Sequence, residues 1–413
     1  MQLSQSYDIV VIGAGASGLM LAAELAGCTG MEVCPFKDSL RICLLDHAKR
    51  LGEKIRISGG GRCNFTNKKV TPDNFVSQNP KFAKHALIAY KPDDFLRLLK
   101  RNSVEWVLKN DVQYFTRDGS HAIVNLLLKH CDTPNIEIHN PVRVLEMQKE
   151  GDEFRIICDK GEVRAKYLII GTGGMAAPAV GATDFGLQIA RKFGHTIVPA
   201  KPALVPLVFD PKEWEPFSQL AGVSLRAIIA IGGCVFEDDM LFTHKGLSGP
   251  LILNASTYWE DGQELSINLC PGIDLAEVLI EASKTSGSNK SKPASILEQY
   301  MPKRLAAVMA GALPPNRNLS ELGHKALRQL ADSIHNFRVK PTGTQGYKKA
   351  EAMSGGVDTK EVDPKSMQSK LVDGLYFIGE VLDITGHLGG YNFQWAWSSA
   401  VTCARALKSR LSE

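Results

Sequence analysis

Residues 9–18 read IVVIGAGASG: four aliphatic residues, Ile9, Val10, Val11 and Ile12, then glycines at 13, 15 and 18. The run predicts a buried strand, and the G-x-G-x-x-G spacing gives each glycine its own task. Gly13 permits a tight turn, Gly15 lets backbone approach a pyrophosphate, and Gly18 lets the following helix pack closely on the strand. That helix, predicted through Leu19–Leu25, offers the N–H groups and partial positive charge of its first turn, at Ala16 and Ser17, to phosphates. A strand before the glycines and a helix after them is the context that makes this short motif a dinucleotide signature.

A second strand ending in an acid is expected about 20 residues further on. Arg41–Asp46, RICLLD, supplies it, and Asp46 is the candidate for the adenosine ribose hydroxyls. The extra length, Gly27–Leu40, reads as an elongated loop. Next comes KRLGEKIRISGGGRCNFTN, Lys49–Asn67. Three successive glycines, Gly59–Gly61, free the backbone to lie against a flat or phosphorylated ligand. Arg62 adds a rigid cationic fork, and Asn64, Thr66 and Asn67 add polar side chains. Ile55, Ile57, Cys63 and Phe65 are interleaved with them, which favours a ligand-facing loop over a surface one.

Further strands are predicted at Ile136–His139, Val142–Met147 (which includes Val144), Phe154–Cys158 and Tyr167–Thr172. The last runs into Gly173 and Gly174. Pro80–His130 reads as mainly helical. From about His195 short strands follow at 205–209, 225–231, 241–242 and 265–269. Among them lies FTHKGLSGP, Phe242–Pro250, with His244. Residues 273–335 read as helical. The first style then returns: GLYFIGE, Gly374–Glu380, is a strand ending in Gly379-Glu380, followed by DITGHLGGYN and a helix from about Asn392 whose apolar face is Phe393, Trp397, Ala400, Ala404 and Leu407. The expected organisation is α/β. A Rossmann domain is formed by 1–195 and 346–413, interrupted by a β-rich domain at 196–272 and a basic helical domain at 273–345.

The 413 residues are 44% hydrophobic and 22% charged, a globular balance. No apolar run reaches the roughly 18 residues of a membrane span. No signal segment precedes the first strand, so the expected location is cytoplasmic. Nine cysteines with no C-x-x-C pair argue against a disulfide framework and against a zinc site. The formal net charge is +4, but Glu281–Lys349 holds twelve Lys/Arg against four Asp/Glu, a local +8. Such a concentration is a possible footprint for a phosphate-rich partner, with a solvated helical surface as the plain alternative.

NAD and FAD share the ADP moiety that the first motif binds. FAD also needs backbone for its ribityl chain and three-ring head, and this chain has three further glycine-rich pieces: Ser58–Asn64, Gly171–Gly174 and Gly379–Asn392. Glu380 fits the acid that holds ribityl hydroxyls. Gly389 and Gly390 leave a flat ring unobstructed, just before a helix whose N-terminal charge, at Tyr391 and Asn392, would stabilise a reduced ring. FAD is therefore the expected cofactor.

The segments IVVIGAGASG, LGEKIRISGGGRCNFTN, IIGTGG, PALVPL, FTHKGLSGP and GLYFIGEVLDITGHLGGYNFQWAWSSA together resemble the YhiN/BaiN-like family of FAD-dependent oxidoreductases. The chain departs from the family pattern in the longer link before Arg41, at Thr183–Gly186 and at Val112–Thr116. The resemblance implies a glutathione-reductase-like FAD domain with an inserted β-barrel-like domain and a small helical domain. It implies cofactor contacts from Lys54 and Val144 as well as the glycines, Thr172 and Glu380. It also implies reduction of activated C=C bonds, in steroid-like enones or in a uridine of large-subunit ribosomal RNA. NAD(P)H is the expected transient donor, although no second G-x-G-x-x-G is present to bind it. Arg62 is a candidate to polarise a substrate carbonyl or to balance flavin charge, and His244, Tyr391 and Cys63 are candidate acids. A third class remains at this level: an RNA-binding assembly factor stabilised by flavin, without catalysis.

Overall fold

The computed structural model describes residues 3–28 and 40–412. Most of the elongated loop expected at Gly27–Leu40 therefore lies outside the described residues. The chain divides into two compact units, Met1–Pro202 with Glu351–Glu413, and Ala203–Ala350.

In the first unit, β1 (Leu3–Ile12) leads through Gly13–Gly15 into α1 (Ala16–Leu25), and β2 (Ile42–Leu45) lies parallel beside β1. Ile136–His139 extends the sheet beyond β2, and the second half of Gly161–Ile170 continues it on the other side of β1. Leu375–Phe377 completes a five-stranded parallel core beside that half. The first half of Gly161–Ile170 instead pairs antiparallel with Glu153–Cys158, which pairs with Val144–Glu150. Ile9–Ile12, β2, residues 167–170 and Leu375–Phe377 are all buried. Their nearly unbroken apolar composition is what a parallel sheet covered on both faces demands.

Register decides where the site lies. Ile12 is opposite Leu45 and Ile170, Leu45 is opposite His139, and Ile170 is opposite Phe377. The carboxyl ends of all five strands are thus level, and Gly13, Asp46, Gly171 and Gly379 emerge along one rim. The neighbours of β1 are strands that follow it in opposite spatial directions, the switch point at which open α/β sheets bind ligands.

The C-terminal helix Tyr391–Ser412 differs from the one-sided helix expected. Every residue from Gln394 to Ala404 is buried, polar ones included. The buried polar groups are satisfied by distant backbone. Trp395 Nε1 donates to the Gly379 carbonyl at 3.0 Å, Trp397 Nε1 donates to that of Phe65 at 2.9 Å, and Ser399 Oγ accepts from the Gly379 N–H at 3.0 Å. Trp397 also stacks on Phe95, with ring centres 4.8 Å apart. A small antiparallel sheet of Asn64–Asn67, Gln113–Thr116 and Trp106–Lys109 stands in the region expected to be mainly helical. The two strands inside that region, Trp106–Lys109 and Gln113–Thr116, are four residues each and largely half-buried, so their apolar periodicity is weak.

The second unit carries a seven-stranded antiparallel sheet running from Phe337–Val339, through Leu265–Asn268, Ser224–Ile231 and Cys234–Thr243, to Gly246–Ser248, Leu207–Val208 and Gly343–Thr344. Among the described residues the two end strands are not paired with each other, so the expected β-barrel-like closure is not confirmed. Side chains from the segments expected as separate β-rich and helical domains share one apolar cluster. Phe242, Ile267, Leu279, Leu305 and Leu330 all belong to it.

Candidate active site

The three motif glycines have different physical reasons. Gly13 has φ +103°, and a Cβ there would meet the Gly171 carbonyl oxygen at 2.5 Å. A Cβ on Gly18 would lie 1.9 Å from the Gly13 carbonyl oxygen. Both must be glycine for the chain to pack on itself. Gly15 is different: its φ is −86°, open to any residue, and a Cβ would meet nothing within 4 Å. Nothing in the chain requires glycine at 15, so the requirement comes from outside it. That is the fit expected of a pyrophosphate approached at the start of α1, with Ala16 and Ser17 in the first turn.

Asp46 stands at the end of β2. Its Oδ2 accepts from the Ala14 N–H and its Oδ1 from the Ala48 N–H, both at 2.7 Å. Each oxygen keeps a further acceptor site, so the carboxylate is fixed in place and still able to receive ribose hydroxyls. Val144 opens an edge strand opposite Cys158 and is half-buried. Val142, two residues earlier, is buried and donates its N–H to the Asp46 carbonyl at 2.8 Å.

The stretch expected as a loop at Lys49–Asn67 is more ordered than that. A helix begins at Glu53, breaks at Ser58 (ψ 148°), and continues as a left-handed turn through Gly59, Gly60 and Gly61, with φ of 54°, 65° and 81°. Three successive left-handed residues would cost about 1–2 kcal/mol each with any side chain present. A Cβ on Gly60 or Gly61 would meet only open space. Arg62 follows, exposed and without an ion pair among the described residues, its carbonyl held by Thr116.

Glu380 is where three of the glycine-rich segments meet. Its Oε2 accepts from Lys54 Nζ at 2.6 Å and from the Gly174 N–H at 3.2 Å, while Oε1 accepts from the Met353 N–H at 2.9 Å. A Cβ on Gly174 would lie 3.0 Å from the carboxylate carbon, and Gly173 approaches the same group. Thr172 lies beside Gly186, and Ser17 reaches both Gly171 and Gly379. Lys54 is thus a direct partner of the acid expected to bind the ribityl chain.

The remaining contact joins the glycine turn to the C-terminal helix. Asn67 Nδ2 donates to the Gly389 carbonyl at 3.0 Å. Gly390, at φ +90°, lies so close to the Thr66 carbonyl that a Cβ would meet it at 2.6 Å. Thr66 Oγ1 donates to Gln394 Oε1 at 2.5 Å, and Asn392 closes the turn by bonding both the N–H and the carbonyl of Gly386.

Of the candidate acids, Tyr391 begins the C-terminal helix, half-buried, with its phenol pushed above the ordinary tyrosine range by burial. Its ring meets Phe75 and His387 edge-on, each with centres 6.2 Å apart. Cys63 is wholly buried and burial pushes its thiol up to about 12, so it stays protonated and shut in. His244 is in the second unit, exposed at the two-residue tip between Thr243 and Gly246. Sequence reasoning passed over His387, which burial holds neutral by lowering its imidazole to about 4. The signal was present: a histidine inside the same glycine-rich turn as Gly389. Gln113 was also missed, for want of any motif around it. Among the described residues no cluster suits a metal ion, and no helix is long and apolar enough to cross a membrane.

The HI0933-like protein Rossmann domain family matches residues 7–406. The chain belongs to that family. It is 40% identical to the ribosomal RNA dihydrouridine synthase of Escherichia coli, over 98% of each chain, and 39% identical to the protein of that name from Haemophilus influenzae, over 98% of this chain and 99% of the other. It is 28% identical to a 3-dehydro-bile acid delta(4,6)-reductase of Clostridium scindens, over 97% of this chain and 99% of the other. The resemblance drawn from the sequence motifs is thus borne out. The chain is an FAD-dependent oxidoreductase with a Rossmann-type FAD-binding domain.

Proposed function

We propose that this enzyme reduces the C5=C6 bond of a uridine in large-subunit ribosomal RNA to dihydrouridine, in the cytoplasm, with NAD(P)H as the electron donor. The observation that carries the RNA reading is the 40% identity to the Escherichia coli synthase over almost the full length of both chains. A second observation supports it: all twelve Lys/Arg of residues 281–349 are exposed, and among the described residues only Arg317 and Arg338 of them form ion pairs. Such a surface suits a phosphate backbone.

In this reading the start of α1 and Gly15 hold the pyrophosphate, Asp46 the ribose, Glu380 and Gly174 the ribityl chain, and Gly60, Gly61, Gly389 and Gly390 the ring. Bound FAD supplies the electron-carrying ring that the side chains here lack. The chain's own groups do the rest. Lys54 fixes Glu380 and offsets its charge. Arg62 polarises a substrate carbonyl, which lowers electron density at the carbon β to it. Tyr391, whose phenol burial pushes above the ordinary tyrosine range, serves in this reading as the proton donor. A base within ribosomal RNA must be unstacked to reach such a site, or met before assembly.

The test is to delete the gene and map dihydrouridine in the large ribosomal RNA. Loss of one site is the expected result. An unchanged map overturns the RNA reading and favours the second one, a small-molecule enone reductase, which the similarity to the bile-acid reductase supports.

A further inference from the structure

The strand Gln113–Thr116 pairs antiparallel with Asn64–Asn67, the continuation of the glycine turn. That register sets Gln113 opposite Asn67, and its side-chain amide is hydrogen-bonded to that of Asn64 at 3.0 Å. The other atom of the Gln113 amide lies 3.5 Å from where a Cβ of Gly389 would be. It takes no partner among the described residues, although Asn67 in the same cluster is buried, with Nδ2 donating to the Gly389 carbonyl and Oδ1 accepting from the Lys69 N–H. One pole of Gln113 is therefore anchored while the other is left beside the glycines that precede the C-terminal helix, next to the Tyr391 ring. A half-buried amide held this way has lost most of its rotamer freedom before any ligand arrives, so a hydrogen bond to it costs little further ordering.

We infer that Gln113 is a specificity-determining residue whose unanchored pole reads one group of the imide edge of a pyrimidine ring, its carbonyl or the adjacent N–H. A carboxamide NH2 donates to the ring carbonyl and a carboxamide oxygen accepts from the ring N–H, so whichever pole Asn64 leaves free has a partner on that edge. Two rings bring this edge to the site, the uracil of the proposed substrate and the pyrimidine portion of the flavin itself. The inference rests on the functional reading above, and the experiment separates the two sources.

Gln113→Ala and the nearly isosteric Gln113→Glu are compared with the parent protein by two titrations. The first follows FAD binding to apoprotein by flavin fluorescence and by the position of the flavin absorption bands. The second measures binding of a short single-stranded RNA containing one uridine, and of the same RNA with cytidine there, to the FAD-loaded protein. If uracil is read, FAD binding is unchanged and the preference for uridine over cytidine falls by roughly tenfold. If the flavin is read, FAD affinity falls and the absorption bands shift, while the uridine preference is unaltered. If both titrations match the parent, Gln113 does no more than hold Asn64, and the inference is overturned even if the variants melt at lower temperature. A parent protein that binds no FAD would instead overturn the functional reading, and this inference with it.

Discussion

The two ends of the cofactor rim are built in opposite ways. At one end Gly13, Gly15, Gly18 and Asp46 sit on β1, α1 and β2, adjacent elements in register. At the other end, Glu380 with Lys54 and Gly174, and Gly390 with Thr66, bring together residues more than 200 positions apart. The first end is fixed by the local chemistry of a strand, a turn and a helix. The second exists only once the C-terminal helix has docked, because Gly379, Phe65, Tyr90 and Thr66 depend on it for hydrogen bonds. The first should therefore fail glycine by glycine, each failure for its own reason. The second should fail as a unit.

The largest effect is expected at Gly18. Gly18→Ala drives a Cβ into the Gly13 carbonyl and should cost roughly 3 kcal/mol or more, measured by urea melts of the apoprotein. Gly15→Ala sharpens the contrast. It should leave the apoprotein within about 0.5 kcal/mol of the parent and weaken FAD severely. Equal losses of stability for the two variants would contradict the separate roles given to these glycines.

At the other end, Trp397→Phe keeps the stacking on Phe95 but leaves the buried Phe65 carbonyl without its donor. A loss of about 1–3 kcal/mol is expected, together with weaker FAD binding, because the glycine turn precedes Phe65 in the chain. An unchanged FAD affinity would show that the two segments are not coupled.

His387 gives a pH signature confined to this second end. Its folded-state pKa, about 4, lies below the unfolded value near 6.5, so the unfolded chain binds more protons between them. Its contribution is complete above pH 6.5 and is lost as pH falls toward 4. His387→Phe should remove about 2 kcal/mol of the difference in stability between pH 7 and pH 5. Identical pH slopes for parent and variant would refute it.

Legibility follows the same division. IVVIGAGASG and RICLLD could be read because their neighbours in space are their neighbours in sequence. Ser58–Asn64 was recognisable as conformationally unusual from its glycines, but not as a left-handed turn, since only the fold shows which φ a glycine takes. Glu380 was legible as an acid after a strand, whereas its partner Lys54 came through family resemblance alone. Gln113 carries no motif and gains meaning from pairing with Asn67 and from the side-chain bond to Asn64. The small sheet around it was hidden because strands that short leave little apolar pattern. In the second unit the exposed basic residues were visible as charge, but the apolar cluster joining its sheet and helices was not.

The central claim is that distant glycine-rich segments close round one FAD, with Glu380 as their meeting point. Titration of apoprotein with FAD, followed by flavin fluorescence in the parent and in Glu380→Ala, tests it most directly. One equivalent should bind the parent, and the variant should bind much more weakly with its Rossmann motif intact. Equal binding by both, or none by the parent, would contradict the account.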